Sequence, residues 1–270
     1  MVEAGTIALQ HFEDPQTTHK KDFSLVTVAD TEIEGVLRSH LQEPGASFIG
    51  EETALSMTPE EIERTGSGMC WIVDPIDGTA PYANQLPTWG ISVAQMINGV
   101  LTEGALFLPR TGELFISQGN AVLYQRGPRD LSYWPYEPME ELPPVTDNHS
   151  TMGMVSLPQE MRRRATYAGK NPFQCNGSAV YSIAKTITGS YQGYIARIRL
   201  WDLAGAIPLL RCLGFHLEFA DQRALSPRVS PTDWIMTAGD PDLWKCRGLL
   251  YISRSQEMVR AMQQDYQEAE

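Results

Sequence analysis

Apolar residues recur along this chain with two different periods, and the change of period divides it into elements. Residues 4–12 (AGTIALQHF) form an amphipathic helical pattern. Ile33, Val36, Leu37 and Leu41 recur at helical spacing behind the capping-box string Thr31-Glu32-Ile33-Glu34, which predicts a helix over 31–42 that stops at Pro44-Gly45. Thr58-Pro59-Glu60-Glu61 predicts a second, short helix with an N-cap and a proline in its first turn. Short apolar runs at 25–28, 47–50 and 70–73 read as strands. From residue 89 the period shortens to two. Ile91 and Val93 alternate, Leu101 to Leu108 follows a turn at Gly99, and Glu113 to Ser117 returns after Pro109-Arg110-Thr111-Gly112, which together predict an antiparallel meander.

The second half mixes the two periods. Strands are predicted at 152–157, 191–198, 215–219 and 234–237. Helices are predicted at 159–168, at 178–188 ending on Gly189, from Asp202 to Gly214, at the start of 240–253, and at 254–268. Between the halves, the proline-rich stretch RGPRDLSYWPYEPMEELPPVTDNHS (126–150) suits no regular element. The organisation read from this is an N-terminal α+β unit (1–130), a linker (131–150) and a C-terminal α/β unit (151–270).

The densest chemistry lies in WIVDPIDGTAPY (71–82). An apolar strand is expected to end at Asp74, with Pro75 biasing it to extended geometry. Asp74, Asp77 and the intervening carbonyl of Ile76 then offer hard oxygen ligands of the kind magnesium and manganese prefer. Gly78 and Thr79 offer backbone N–H groups at a turn, the arrangement that receives an anion. A D-x-x-D pair alone is more often an acidic cap. Glu51-Glu52 after a strand is, alone, ordinary solvated surface, and Asp202 in LWDLAGA (200–206) is, alone, an N-cap. Asp30 just before the first capped helix reads the same way.

Charge and cysteine usage narrow the partners. The 270 residues carry a formal net charge of -12, which opposes binding to nucleic acid or anionic membrane surfaces. The four cysteines are far apart with no CxxC, so neither a zinc site nor a disulfide framework is expected, and free thiols suit a reducing cytoplasm. The N-terminus lacks the apolar core of a signal peptide, and no apolar run reaches membrane-spanning length. The histidines show no ligand spacing. Lys20-Lys21 and Arg162 to Arg164 read as solvated basic segments.

Taken in order, VTVAD (26–30), FIGEE (48–52), WIVDPIDGT (71–79) and LWDLAGA (200–206) resemble the inositol monophosphatase superfamily of magnesium-dependent, lithium-sensitive phosphatases. The hairpin GALFLPRTGELF (104–115) and Gly177-Ser178-Ala179 extend the likeness over nearly the whole chain. The resemblance implies an α+β fold, the layered αβαβα sandwich of the inositol monophosphatase and fructose-1,6-bisphosphatase type. It implies Mg2+ as cofactor, in two or three ions with Mn2+ as a substitute. The ligands would be Glu51, Asp74, the Ile76 carbonyl, Asp77 and Asp202, with Asp30 helping a weaker third ion. Glu51, Thr79 and Asp77 would be catalytic, the first two orienting and deprotonating the attacking water. Gly78, Thr79, Gly177, Ser178 and Asp202 would bind phosphate or substrate. The implied partner is a small phosphorylated polyol, sugar or related metabolite, and the implied assembly a homodimer.

Three departures bear on substrate. Pro81 stands where the family commonly has Asn. The stretch before Trp201-Asp202 lacks the acid with which inositol-specific members bind substrate hydroxyls, and Arg197 and Arg199 stand there instead. Arginines suit a second anionic group, as in a bisphosphorylated sugar or a 3'-phosphonucleotide. Alternate strand positions equally put both on one solvated face. Pro208 falls inside the helix expected after Asp202 and should kink or tighten it. A non-catalytic relative that binds metal or ligand is the remaining reading.

Overall fold

In each main sheet, successive residues face different layers. In the strand Met69–Asp77, Cys70 and Ile72 join one core while Val73 joins another on the opposite face. In Tyr191–Ala196, Tyr194 and Ala196 face the first core while Ile195 faces a third. The side-chain period of two therefore gives each sheet two apolar faces that need cover. The computed structural model describes residues 1–19, 25–127, 139–143, 153–159, 161 and 165–268. Lys20-Lys21, Arg162 to Arg164, His149 and most of the 131–150 stretch lie outside them.

Among the described residues, one sheet has the order β3-β4-β5-β6-β7-β8-β9. Its strands are Ser47–Gly50, Met69–Asp77, Gly90–Ile97, Val100–Leu108, Glu113–Gln118, Ala121–Arg126 and Glu140–Glu141. The pair β3 and β4 is parallel, and the others are antiparallel. A second sheet has the order β12-β10-β13-β15-β14, with β10 at Met154–Ser156, β12 at Phe173–Gln174, β13 at Tyr191–Ala196, β14 at His216–Phe219 and β15 at Leu250–Ser253. Two small ribbons complete the strands: β1 (Thr17–His19) with β2 (Leu25–Thr27), and β11 (Ala165–Tyr167) with β16 (Tyr266–Glu268).

The helices supply the cover. Helices α1 (Val2–Phe12) and α2 (Val28–Leu41) pack Ala4, Ile7, Ala8, Ile33 and Leu37 on the outer face of the first sheet. Helices α6 (Ala179–Ile187), α7 (Leu200–Ala204) and α8 (Ala206–Cys212) fill the space between the sheets. Helix α9 (Gln256–Asp265) covers the far face of the second sheet with Met258, Val259 and Met262. Three short helices carry loops: α3 (Glu51–Ala54), α4 (Pro59–Thr65) and α5 (Thr79–Ala83). This is the expected αβαβα sandwich.

Several boundaries differ from those the sequence predicts. Helix α2 begins at Val28, because Thr27 and Asp30 form the capping box: Thr27 N donates to Asp30 Oδ2 at 2.7 Å and Asp30 N to Thr27 Oγ1 at 3.3 Å. Asp30 thus sits within the first turn, and Glu34 is freed for another role. The strand through Asp74 continues to Asp77. Residues 165–167 and 266–268 form the β11–β16 ribbon instead of extending helices at 159–168 and 254–268. Residues 234–237 make only an isolated bridge, Trp234 to Cys246, and the start of 240–253 is a series of turns. Within the stretch read as a linker, Glu140–Glu141 adds an edge strand and Leu142 N donates to Val122 O at 2.8 Å.

Pro208 does not kink a helix, because the chain already divides at Gly205 and Pro208 lies in the first turn of α8, where its missing N–H costs nothing. The division follows from a close approach. A Cβ on Gly205 would lie 2.6 Å from Ser92 Oγ and 2.8 Å from Ala105 O. The small residues of WDLAGA therefore admit the first sheet's backbone.

Candidate active site

Asp74 and Asp77 are three residues apart, which in a regular strand would send them to opposite faces. The pairing of β4 with β5 places Asp74 opposite Ser92 and Asp77 opposite Gly90, so β4 holds one residue more than its partner. Pro75 lies in this bulge, where a residue without an N–H is tolerated. The extra residue restores the parity, and both carboxylates turn to one place.

Asp202 reaches the same place from the second half. Its backbone is in the first turn of α7, and its Oδ2 accepts from Arg199 N at 2.8 Å. It is therefore the acid that caps Arg199, not itself the N-cap. One carboxylate oxygen from each of Asp74, Asp77 and Asp202 lies within 4.8 Å of the others. Asp77 is fixed further by the start of α6: Ser178 Oγ donates to its Oδ2, and Val180 N does so at 2.6 Å.

A second group forms beside α2. Oxygens of Asp30, Glu51 and Glu52 also lie within 4.8 Å of one another. Glu51 and Glu52 open α3, and Glu34, which the sequence pattern places in a capping box, holds that turn in place. Glu34, buried on α2, accepts from Glu52 N at 3.1 Å and from Thr53 Oγ1 at 3.2 Å, with Arg38 as its cation at 3.2 Å. A Cβ on Gly50 would overlap the Glu34 carboxylate, so the glycine admits it. The signal that could have found Glu34 is its place four residues after Asp30, on the buried face of α2.

The electrostatics are those of carboxylates crowded away from water. Burial pushes Asp30 up to about 7, with the Thr27 hydroxyl opposing and the Glu51 charge adding. Burial raises Asp77 to about 6, held down by Ser178 and Val180. Asp74 rises well above the carboxylate range through burial and then Glu51, Asp77 and Asp202, and Asp202 rises through burial and Asp77. Glu51 contributes to the shift of all four. Among the described residues, Asp30 Oδ1 and Asp74 Oδ1 are buried without a hydrogen-bond donor. Unpartnered buried carboxylate oxygens converging with other acids fit a hard divalent cation, which would supply the missing charge.

The remaining predicted residues fall as follows. Thr79 Oγ1 donates to the Ile76 carbonyl at 3.3 Å. Gly78 has φ +93°, and a Cβ there would come 2.9 Å from Ser178 Cβ, so the DGT turn packs tightly on the Gly177-Ser178 loop. Pro81 is buried, and a Cβ on Gly177 would lie 3.4 Å from its Cγ. A cavity of about 200 Å3 opens beside the acids, with Asp77, Asn176, Ser178, Tyr194, Arg197 and Asp202 among its lining. Arg199 is not brought to it. The Arg199 guanidinium donates to Leu243 O at 2.7 Å and Pro241 O at 3.0 Å, because the chain leaves β13 at Ala196 and strand alternation no longer aligns it with Arg197. Tyr194 and Asn176 also line the cavity, and the sequence does not point to them, since neither residue type announces a ligand contact.

Layered sheets with acids converging from both halves are the architecture expected of the inositol monophosphatase class. The family model described as the inositol monophosphatase family matches residues 1–250, and the chain belongs to that family of phosphoric monoester hydrolases. An inositol-1-monophosphatase of Rhizobium meliloti is 29% identical over 210 residues, covering 74% of this chain and 73% of that protein. A histidinol-phosphatase of Chlorobaculum parvum is 29% identical over 129 residues, 46% of this chain and 47% of that protein, so this match spans about half the relative's length. A staphylococcal inositol monophosphatase crystal structure superposes with a TM-score of 0.71 at 17% identity, covering 98% of this chain and 92% of that one. No helix among the described residues is long and apolar enough to cross a membrane.

Proposed function

We propose that this chain is a Mg2+-dependent phosphomonoesterase acting on a small phosphorylated polyol, sugar or related metabolite. The observation that carries the reading is the convergence of Asp74, Asp77 and Asp202 within 4.8 Å, from two halves of the chain, with Asp74 Oδ1 lacking a donor. Asp74, Asp77, Asp202, Glu51 and the Ile76 carbonyl would hold two ions, and Asp30 with Glu51 and Glu52 a further one. When bound, these cations offset the carboxylate repulsion and supply the charge stabilisation and water activation that phosphoryl transfer needs.

The chain's own groups do the rest. Glu51 and the Thr79 hydroxyl orient the attacking water, with the Glu51 carboxylate as proton acceptor. The backbone N–H groups of Gly78 and Thr79 bind the phosphate oxygens. Ser178 and Val180 keep the Asp77 carboxylate fixed, which makes Ser178 a holder of Asp77 as well as a neighbour of substrate. The family resemblance extends the reading to Mn2+ as a substitute ion, lithium inhibition, a homodimer and a cytoplasmic location.

Phosphate release from a panel of phosphorylated metabolites, with and without Mg2+, tests this. Turnover that needs Mg2+ is expected on at least one member. A folded, Mg2+-binding protein that turns over none would instead be a non-catalytic ligand-binding relative.

A further inference from the structure

The cavity beside Asp77 and Asp202 has an asymmetric charge. Two of its lining residues are carboxylates that repel a phosphorylated ligand, and Arg197 is the one side-chain cation among its described lining residues. Arg197 stands just past the end of β13, where the chain turns toward α7, so its backbone is set by the second sheet. Its guanidinium is paired with Glu268 of β16, which the β11–β16 ribbon carries to this edge of the molecule. The arginine is 23% exposed and the glutamate 48%, so the pair is open to water. Ion pairs this exposed are weak, and another anion can replace the glutamate at little cost. A guanidinium presents a planar fork of donors that suits a carboxylate or phosphate equally.

We propose that Arg197 is a specificity-determining residue that selects small phosphorylated substrates bearing a second anionic group, and that Glu268 is the internal carboxylate this group displaces. The inference rests on the phosphomonoesterase reading and names its substrate class. The scissile phosphate lies at the acid clusters, and the second anion lies across the cavity on Arg197. A substrate without that anion leaves Arg197 on Glu268 and gains nothing from it. The C-terminal strand thereby becomes part of substrate choice, although it contributes no group to the metal clusters.

The test compares a hexitol monophosphate, the corresponding phosphorylated aldonic acid and a hexitol bisphosphate. The wild-type kcat/KM for one or both doubly anionic compounds should exceed that for the plain monophosphate by roughly tenfold, the scale of one charge-assisted hydrogen bond. The two compounds distinguish a carboxylate from a phosphate as the preferred group. Arg197→Gln should bring the ratio close to one, chiefly through KM, and Arg197→Lys should restore part of it. Glu268→Gln should raise the ratio while leaving the plain monophosphate unchanged. An unchanged ratio in Arg197→Gln, or wild-type preference for the plain monophosphate, overturns the proposal. If no compound is turned over, the phosphatase reading fails separately, and calorimetric binding of the unphosphorylated aldonate and of inorganic phosphate then decides. Equal affinity in wild type and Arg197→Gln contradicts the role of Arg197, and a loss in the variant supports it.

Discussion

Asp74 shows the opposed demands placed on one residue. It is buried, one of its oxygens has no donor, and its neighbours Glu51, Asp77 and Asp202 carry like charge. Such a carboxylate destabilises the fold unless a cation offsets its charge. Asp74→Asn should therefore act in two directions. It should lower Mg2+-dependent kcat/KM by about a hundredfold or more, the scale of losing a group that acts in the transition state, while raising Tm measured in chelator. Steady-state assays and thermal melts of the same preparation check both signs. Unchanged or lower Tm would show that burial of this charge is compensated in some other way.

At the scale of elements, the site depends on how closely backbones approach. Gly50 admits Glu34, and Glu34 holds the first turn of α3 through Glu52 N and Thr53 Oγ1. Groups that orient ligands from behind commonly change metal affinity by roughly 10–100-fold. Glu34→Gln should weaken Mg2+ affinity on that scale, measured by calorimetry, with a far-UV spectrum unchanged. Gly205→Ala should lower Tm, since its Cβ would sit 2.6 Å from Ser92 Oγ, and overpacking of this kind costs about 1–3 kcal/mol.

These same elements mark how far the sequence could be read. The meander was legible because alternation and turn residues agree, and α4 because Thr58, Pro59 and Glu61 are all local signals. The start of α2 was displaced because two consecutive strings, Thr27 to Asp30 and Thr31 to Glu34, satisfy the same capping rule, and only tertiary packing chooses. Glu34 was hidden for that reason: its partners lie 18 and 19 positions away. The ribbon of β11 with β16 was illegible because it joins residues about a hundred positions apart, against a helical pattern that runs on through Asp265. The motifs DPIDGT and WDLAGA pointed to the acids, but the bulge that aligns Asp74 with Asp77 is a property of pairing with β5.

For the whole molecule, the clustered acids couple stability to pH and to ions. In the fold burial raises Asp30 to about 7 and Asp77 to about 6, above the ordinary value of 3.8 that they recover on unfolding. Between these limits the fold retains protons that the unfolded chain has lost. Stability of the metal-free protein should therefore be fullest below pH 4 as far as these groups are concerned, and should fall as pH rises to about 7, by at most about 1.4 kcal/mol per pH unit for each group. Thermal melts in chelator across that range check the slope. Mg2+ should reverse it, raising Tm more at pH 8 than at pH 5, because it binds the ionised acids.

We propose that acids from both halves of the chain make one divalent-cation site at which a phosphate ester is cleaved. The most direct measurement is phosphate release as a function of Mg2+ concentration, for wild type and for Asp74→Asn and Asp202→Asn, each removing one acid from a different half. Saturable Mg2+ activation is expected in the wild type, and its loss in both variants. Turnover independent of Mg2+, or either variant with full activity, would contradict it.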